Sequence, residues 1–288
     1  MSLGRVGTIA EMRLALDSAR AIGASVGLVP TMGALHEGHA SLIRAAAADN
    51  DVVVTTVFVN PLQFAPTDDL AAYPRDLERD ADIAFAAGAT HLFAPPVAEM
   101  YPFGADHVLS NVSVREITGV LDGLHRPGHF DGVATVVAKL FAIAGTCRAY
   151  FGEKDFQQLA VMRRMAADLS FPVDVIGCPI VREPHGLAMS SRNAYLSDEL
   201  RERAGVLYRS LLAGRSALLS GERNPLVICA QMDAVLSTEP SVLVDYATVV
   251  DSTTLQDLDV LVGDVRLLVA ARVGPARLID NLGVLVGC

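Results

Sequence analysis

The chain has 288 residues, a formal charge of −10, 51% hydrophobic and 19% charged residues. That composition excludes a disordered chain. The acid excess excludes a general nucleic-acid binder and leaves room for a locally basic pocket that takes a small anion. Cys147, Cys178, Cys229 and Cys288 form no CxxC pair, so neither a disulfide framework nor a zinc ribbon is expected, and the chain reads as cytoplasmic. Met1–Ala24 has no apolar core of leader length beside a basic end. Mean hydropathy is high at +0.37, yet no uncharged apolar run approaches the roughly 18 residues of a membrane span. The nearest, Gly132–Phe151, is interrupted by Lys139 and Arg148 and follows helical spacing, as a buried amphipathic helix does.

In chain order, Val26–Val29 reads as a strand and Ala40–Asp49 as a helix. Asp51–Val59 is a β-branched run suited to a parallel strand covered on both faces. A helix over Leu77–Ala87, stopped by Gly88, precedes a short strand at His91–Ala94. A helix over Val133–Ala144, a strand at Arg148–Phe151, a helix over Phe156–Leu169 and a strand at Val173–Cys178 follow. This alternation predicts an open parallel α/β sheet, whose ligands bind beyond the strands' carboxyl ends. After Pro184 the pattern changes to helices over Ser197–Leu219 and Pro225–Leu236, then β-rich runs at Val242–Val250, Val265–Val273 and Ala276–Val286. A separate, smaller α+β domain is expected, giving domains of 1–181 and 182–288.

Four clusters sit where such a sheet presents its ligand. Pro30–His39 joins a strand to a helix and carries His36 and His39, a layout that suits a phosphate at a helix N-terminus. A metalloprotease zinc site needs histidines at i and i+4 on an established helix; here they are at i and i+3 around Gly38. Gly152-Glu153-Lys154-Asp155 follows a strand, with Lys154 able to face a phosphate and Asp155 a ribose. Met189-Ser190-Ser191-Arg192 offers two hydroxyls and a guanidinium. Asn60 and Gln63 place amides after a buried strand, as a small polar substrate requires.

With these blocks in order, the chain resembles the pantoate–β-alanine ligases (the pantothenate synthetase family). The resemblance rests on VPTMGALHEGH (Val29–His39), FVNPLQF (Phe58–Phe64), YPRD (Tyr73–Asp76), HRPGHFDGV (His125–Val133), YFGEKDFQQL (Tyr150–Leu159), Val181–Leu196 with its MSSR core, and LLVAAR (Leu267–Arg272). It implies a Rossmann-like N-terminal domain, a C-terminal α+β lid and a homodimer. The implied reaction is ATP-dependent: pantoate is activated as an acyl adenylate with loss of pyrophosphate, and the amine of β-alanine displaces AMP. His39, assisted by His36, and Lys154 would be catalytic. Met32, Gly33, Ala34, Leu35, His36, Glu37, Gly38, His39, Gly152, Glu153, Lys154, Asp155, Val181, Met189, Ser190, Ser191 and Arg192 would bind ATP. Gln63 and Gln158 would bind pantoate; Gln63 and Asn60 would face β-alanine. Magnesium would bridge the phosphates, with no metal site of protein side chains. Asp122 stands where many relatives carry Glu, one methylene shorter.

Overall fold

Apolar β-branched runs covered on both faces pack best as parallel strands, and a computed structural model of the chain arranges them so. The structure describes residues 3–64, 70–71 and 73–287. It divides into two units, Met1–Gly152 with Gln157–Cys178, and Glu153–Phe156 with Pro179–Cys288. This differs from a single break after residue 181: the short segment after the fifth strand, carrying Lys154, belongs with the second unit.

The first unit contains, in order, β1 (Gly4–Val6), α1 (Ile9–Ala21), β2 (Val26–Val29), α2 (Glu37–Asp49), β3 (Val52–Thr56), α3 (Leu77–Ala86) and β4 (His91–Phe93). Short helices α4 (Val97–Met100) and α5 (Leu121–His125) lead to α6 (His129–Ala144), β5 (Cys147–Gly152), α7 (Phe156–Asp168) and β6 (Val173–Cys178). The strand order is β1-β4-β3-β2-β5-β6, every pair parallel. From β2 the chain builds β3 and β4 on one side, then crosses to β5 and β6 on the other. The order therefore reverses between β2 and β5, the place where open α/β sheets bind ligands. Gly27 and Leu28 of β2 pair with Arg148 and Ala149 of β5, so both strands deliver their carboxyl ends to that point.

Val29, Ile43, Val53, Ala84, Leu92 and Tyr150 form part of the core around the sheet. The predicted amphipathic helix is α6, buried on most of its faces. Among the described residues no helix is long and apolar enough to cross a membrane. The first 21 residues supply β1 and α1, elements that the sequence pattern did not assign. A capping box of Thr8 and Glu11 starts α1. The run from Asp51 to Val59 is strand only to Thr56, because Thr31 and Thr56 then bond to each other and Phe58 N donates to the Thr31 carbonyl.

In the second unit the expected long helix is two, α8 (Asp198–Ala204) and α9 (Val206–Leu219). Gly205 separates them: a Cβ there would lie 2.5 Å from the His185 carbonyl oxygen. After α10 (Pro225–Leu236) come β7 (Val242–Asp251), β8 (Gly263–Val273) and β9 (Ala276–Val286), an antiparallel meander in that order. Leu211, Leu218, Ile228 and Met232 of the helices pack with Leu267, Val269 and Leu278 of the sheet.

Candidate functional site

The turn after β2 is held from behind. Gly33 (φ 86°) and Ala34 (φ 52°) are both left-handed, a conformation costly for alanine and normally compensated by surrounding bonds. The compensation comes from Asp80 on α3, 1% exposed. Its carboxylate accepts from Ala34 N at 2.9 Å and Leu35 N at 2.7 Å. A Cβ at Gly33 would lie 2.7 Å from an Asp80 oxygen, so glycine is needed for space as well as torsion. Thr31 Oγ1 accepts from Gly33 N at 3.1 Å.

This turn delivers the histidines into a helix cap. Helix α2 begins at Glu37, three residues before the predicted start at Ala40, because His36 is its N-cap. His36 Nδ1 accepts from Gly38 N at 3.1 Å, and His39 Nδ1 accepts from His36 N at 3.4 Å. This reciprocal pair is a capping box built from two imidazoles. The ring centroids are 4.1 Å apart. Because both Nδ1 atoms accept, the proton of each neutral ring resides on Nε2. The helix N-terminus thus adds two ring N–H donors to its own amides and dipole, the donor set an anion needs. Glu37 points its carboxylate to Arg44.

A second group forms around the turn Pro61–Gln63 that follows β3. Asn60, 1% exposed, donates to Gln63 Oε1 at 3.2 Å and Gly132 O at 3.0 Å. Its Oδ1 accepts from Tyr101 Oη at 2.7 Å and Leu62 N at 3.3 Å. The Asn60 amide is therefore committed inside the protein. Gln63 Nε2 lies 2.9 Å from Met32 Sδ, which brings the turn beside the loop after β2. The His129 ring, at the start of α6, lies 2.9 Å from the Gln63 carbonyl. Gly132 lets the turn lie on α6, since a Cβ there would meet Leu62 O and sit 2.7 Å from Gln63 N. Burial pushes the Tyr101 phenol well above its ordinary range, so it acts as a hydrogen-bond donor.

Gly152 ends β5 at the switch point. Of the two glutamines at the start of α7, Gln157 is buried and structural: Asp122 N donates to its Oε1, and its Nε2 donates to Ile117 O and Val120 O. Gln158 is half-buried.

The remaining predicted residues lie in the second unit. Lys154 Nζ is 3.5 Å from Asp155 Oδ1. Asn281 of β9 donates to the carbonyls of both Glu153 and Lys154 at 2.9 Å. Residues 181–189 form a hairpin, with Met189 N donating to Val181 O and Gly186 (φ 96°) at its bend. Ser190 caps a short 3-10 turn, Ser191–Tyr195, on which Ser191 and Arg192 are exposed. Buried Asn193 fixes that turn, donating to Glu183 and to Ala188 O.

Among the described residues no three His, Cys, Asp or Glu side chains are grouped to hold a metal ion. Cys147 and Cys178 are buried, and burial pushes the Cys147 thiol up to about 12. Cys288 lies outside the described residues.

The family model described as pantoate-beta-alanine ligase matches residues 5–283. A pantothenate synthetase from Moorella thermoacetica is 50% identical over 275 residues, 96% of each chain. One from Roseiflexus sp. is 52% identical over 274 residues, 95% of this chain and 96% of the relative. The crystal structure of pantothenate synthetase from Thermus thermophilus superposes with a TM-score of 0.90 at 49% identity, covering 97% of this chain and 99% of the other. A pantoate-beta-alanine ligase from Francisella tularensis, complexed with beta-gamma ATP and beta-alanine, gives 0.76 at 32% identity, covering 98% and 97%.

Proposed function

The chain belongs to the pantoate–β-alanine ligase family, and we propose from that premise how its residues divide the work. It is an enzyme that joins pantoate to β-alanine with ATP as the activating substrate, forming pantothenate. A carboxylate is a poor acylating agent because its leaving group would be oxide. Transfer of AMP from ATP to pantoate, with release of pyrophosphate, converts that oxygen into a good leaving group. The amine of β-alanine then attacks the acyl carbon, and AMP departs.

The observation that carries this reading is the imidazole capping box. With Nδ1 of both rings used in the cap, His36 and His39 offer Nε2–H donors at the N-terminus of α2, beside the switch point. Donors fixed before the reaction stabilise charge that grows on the phosphates as the α-phosphorus is attacked. We assign the backbone of Met32–His39 and Gly152 to ATP, and in the second unit Glu153, Lys154, Asp155, Val181 and Met189–Arg192. Lys154 supplies a cation to the phosphates. Gln63 and Gln158 bind pantoate, and Gln63 also faces β-alanine. Asn60 contributes by fixing Gln63, since its own amide is occupied. Magnesium would be carried chiefly by phosphate oxygens, the ligands a hard cation favours. The first unit would act as the nucleotide- and pantoate-binding domain and the second as the lid domain, in a homodimer.

The test is the ligand dependence of two reactions. Pantoate alone must support exchange of labelled pyrophosphate into ATP; AMP must accumulate with pantothenate only when β-alanine is added. Exchange without pantoate, or a product that retains the nucleotide, would refute the assignment.

A further inference from the structure

The segment bearing Lys154 is fixed from β9. Asn281 is 2% exposed, and its Nδ2 donates to the carbonyls of the two peptide groups that flank the Lys154 Cα, those of Glu153 and Lys154, each at 2.9 Å. Its Oδ1 accepts from Arg266 Nε at 2.8 Å. Arg266 then reaches the Glu153 carboxylate at 3.0 Å and covers the Phe156 ring at 3.8 Å from its centroid. Gly283, opposite Arg266 across the strand pair, leaves the room: a Cβ there would sit 2.7 Å from a guanidinium nitrogen.

Successive strand residues face opposite sides of a sheet, so Asp280 anchors the other face. It accepts two bonds from Arg182, at 2.6 and 2.9 Å, and one from Asn281 N at 2.8 Å. Arg182 is in turn stacked on Tyr208 of α9 at 3.7 Å. The arrangement fixes the backbone of Glu153 and Lys154 at two consecutive carbonyls, from one rigid side chain whose own acceptor is occupied. Side chains held in this way have little freedom to drift, and misplacement of a reacting charge by about 1 Å can cost ~100-fold in rate.

We propose that Asn281, braced by Arg266, is a positioning residue for Lys154 in the adenylation step. The proposal rests on the reading that Lys154 acts on the phosphates of ATP. Asn281→Asp keeps the size but turns a carboxylate toward two carbonyl oxygens. It is expected to lower kcat for pantoate-dependent pyrophosphate exchange by about tenfold or more, with the KM for pantoate unchanged. A general loss of structure would not respect a second mutation, whereas aim through Lys154 does. In a Lys154→Ala background, Asn281→Asp should therefore cause no further loss. Arg266→Lys, which cannot make both guanidinium bonds, provides the same cycle in a milder form, and melting curves of all variants verify folding. If Lys154→Ala alone exchanges pyrophosphate at the normal rate, the Lys154 reading fails and this proposal with it. If Lys154→Ala is impaired but the Asn281 and Arg266 losses multiply undiminished in that background, only the positioning role is overturned.

Discussion

Asp80 accepts hydrogen bonds from Leu35 N at 2.7 Å and from Ala34 N at 2.9 Å, from a helix 45 residues further along the chain. The acid is the support on which the left-handed turn and the histidine cap are built. Asp80→Asn would leave one of the two buried N–H groups facing an amide donor, at a cost of about 1–3 kcal/mol. The expected result is a lower denaturation midpoint together with a raised KM for ATP. A variant with both quantities unchanged would show that the turn holds itself.

Gly132→Ala should act on the other substrate. Its methyl would push against the Leu62 carbonyl and Gln63 N, displacing the glutamine assigned to pantoate. Overpacking of this kind costs ~1–3 kcal/mol. Steady-state kinetics should show the KM for pantoate rising several-fold more than that for ATP. Equal rises would indicate a general loosening of α6 instead.

Much of this architecture was readable from the pattern of residues. The β-branched runs and helical spacings gave the parallel sheet, and the strand-end placement of Pro30–His39 and Gly152 followed from it. The three β-rich C-terminal runs gave the strands of the smaller α+β domain, and the structure pairs them antiparallel. What escaped was tertiary support. Asp80 sits among Glu78, Arg79 and Asp82, and an acid in a charged helix reads as a solvated face; only the folded chain shows it buried. Tyr101 and His129 act on residues 41 and 66 positions away, a relation that spacing does not carry. Asp280 and Asn281 did leave a signal, as two polar residues in the middle of an apolar strand. The α8–α9 break was hidden because Gly205 resembles any tolerated helix glycine until the His185 carbonyl is seen against it.

His39 forms a cap and carries a proposed catalytic role, and substitution separates the two. As the third helical residue it accepts from His36 N, and as an imidazole it presents Nε2–H. His39→Ala should lose both: about 0.5–2 kcal/mol of stability through the cap, and two or more orders of magnitude in pyrophosphate exchange, roughly 3 kcal/mol of transition-state stabilisation. Glutamine at this position is a normal capping-box residue. His39→Gln is thus expected to recover the melting temperature and not the exchange rate. Recovery of both would reduce His39 to a structural cap. Lys154→Ala, which touches no cap, should lose exchange by a similar factor with its melting temperature unchanged.

Acid should destabilise the fold in two windows. Burial lowers the pKa of His91 from its ordinary 6.5. With the folded value below the unfolded one, the unfolded chain takes up a proton first, so stability starts to fall as pH drops through about 6.5. The second window belongs to carboxylates held low by donors. Glu11 accepts from Thr8 through hydroxyl and amide, and Asp51 from the amide and then the hydroxyl of Ser25. Glu222 accepts from the amides of Asn224 and Arg223, and Glu239 from the Ser241 hydroxyl. A depressed folded pKa gives stability that is complete above the ordinary carboxylate value of about 4 and is lost as pH falls through the lower folded value. Calorimetric melting temperatures should hold level from pH 8 to about 7, decline slightly toward 5, and fall steeply below about 4. His91→Gln should remove the first decline and leave the second. Glu11→Gln combined with Glu222→Gln should make the second shallower, and an unchanged slope in that double variant would mean that other acids carry the transition.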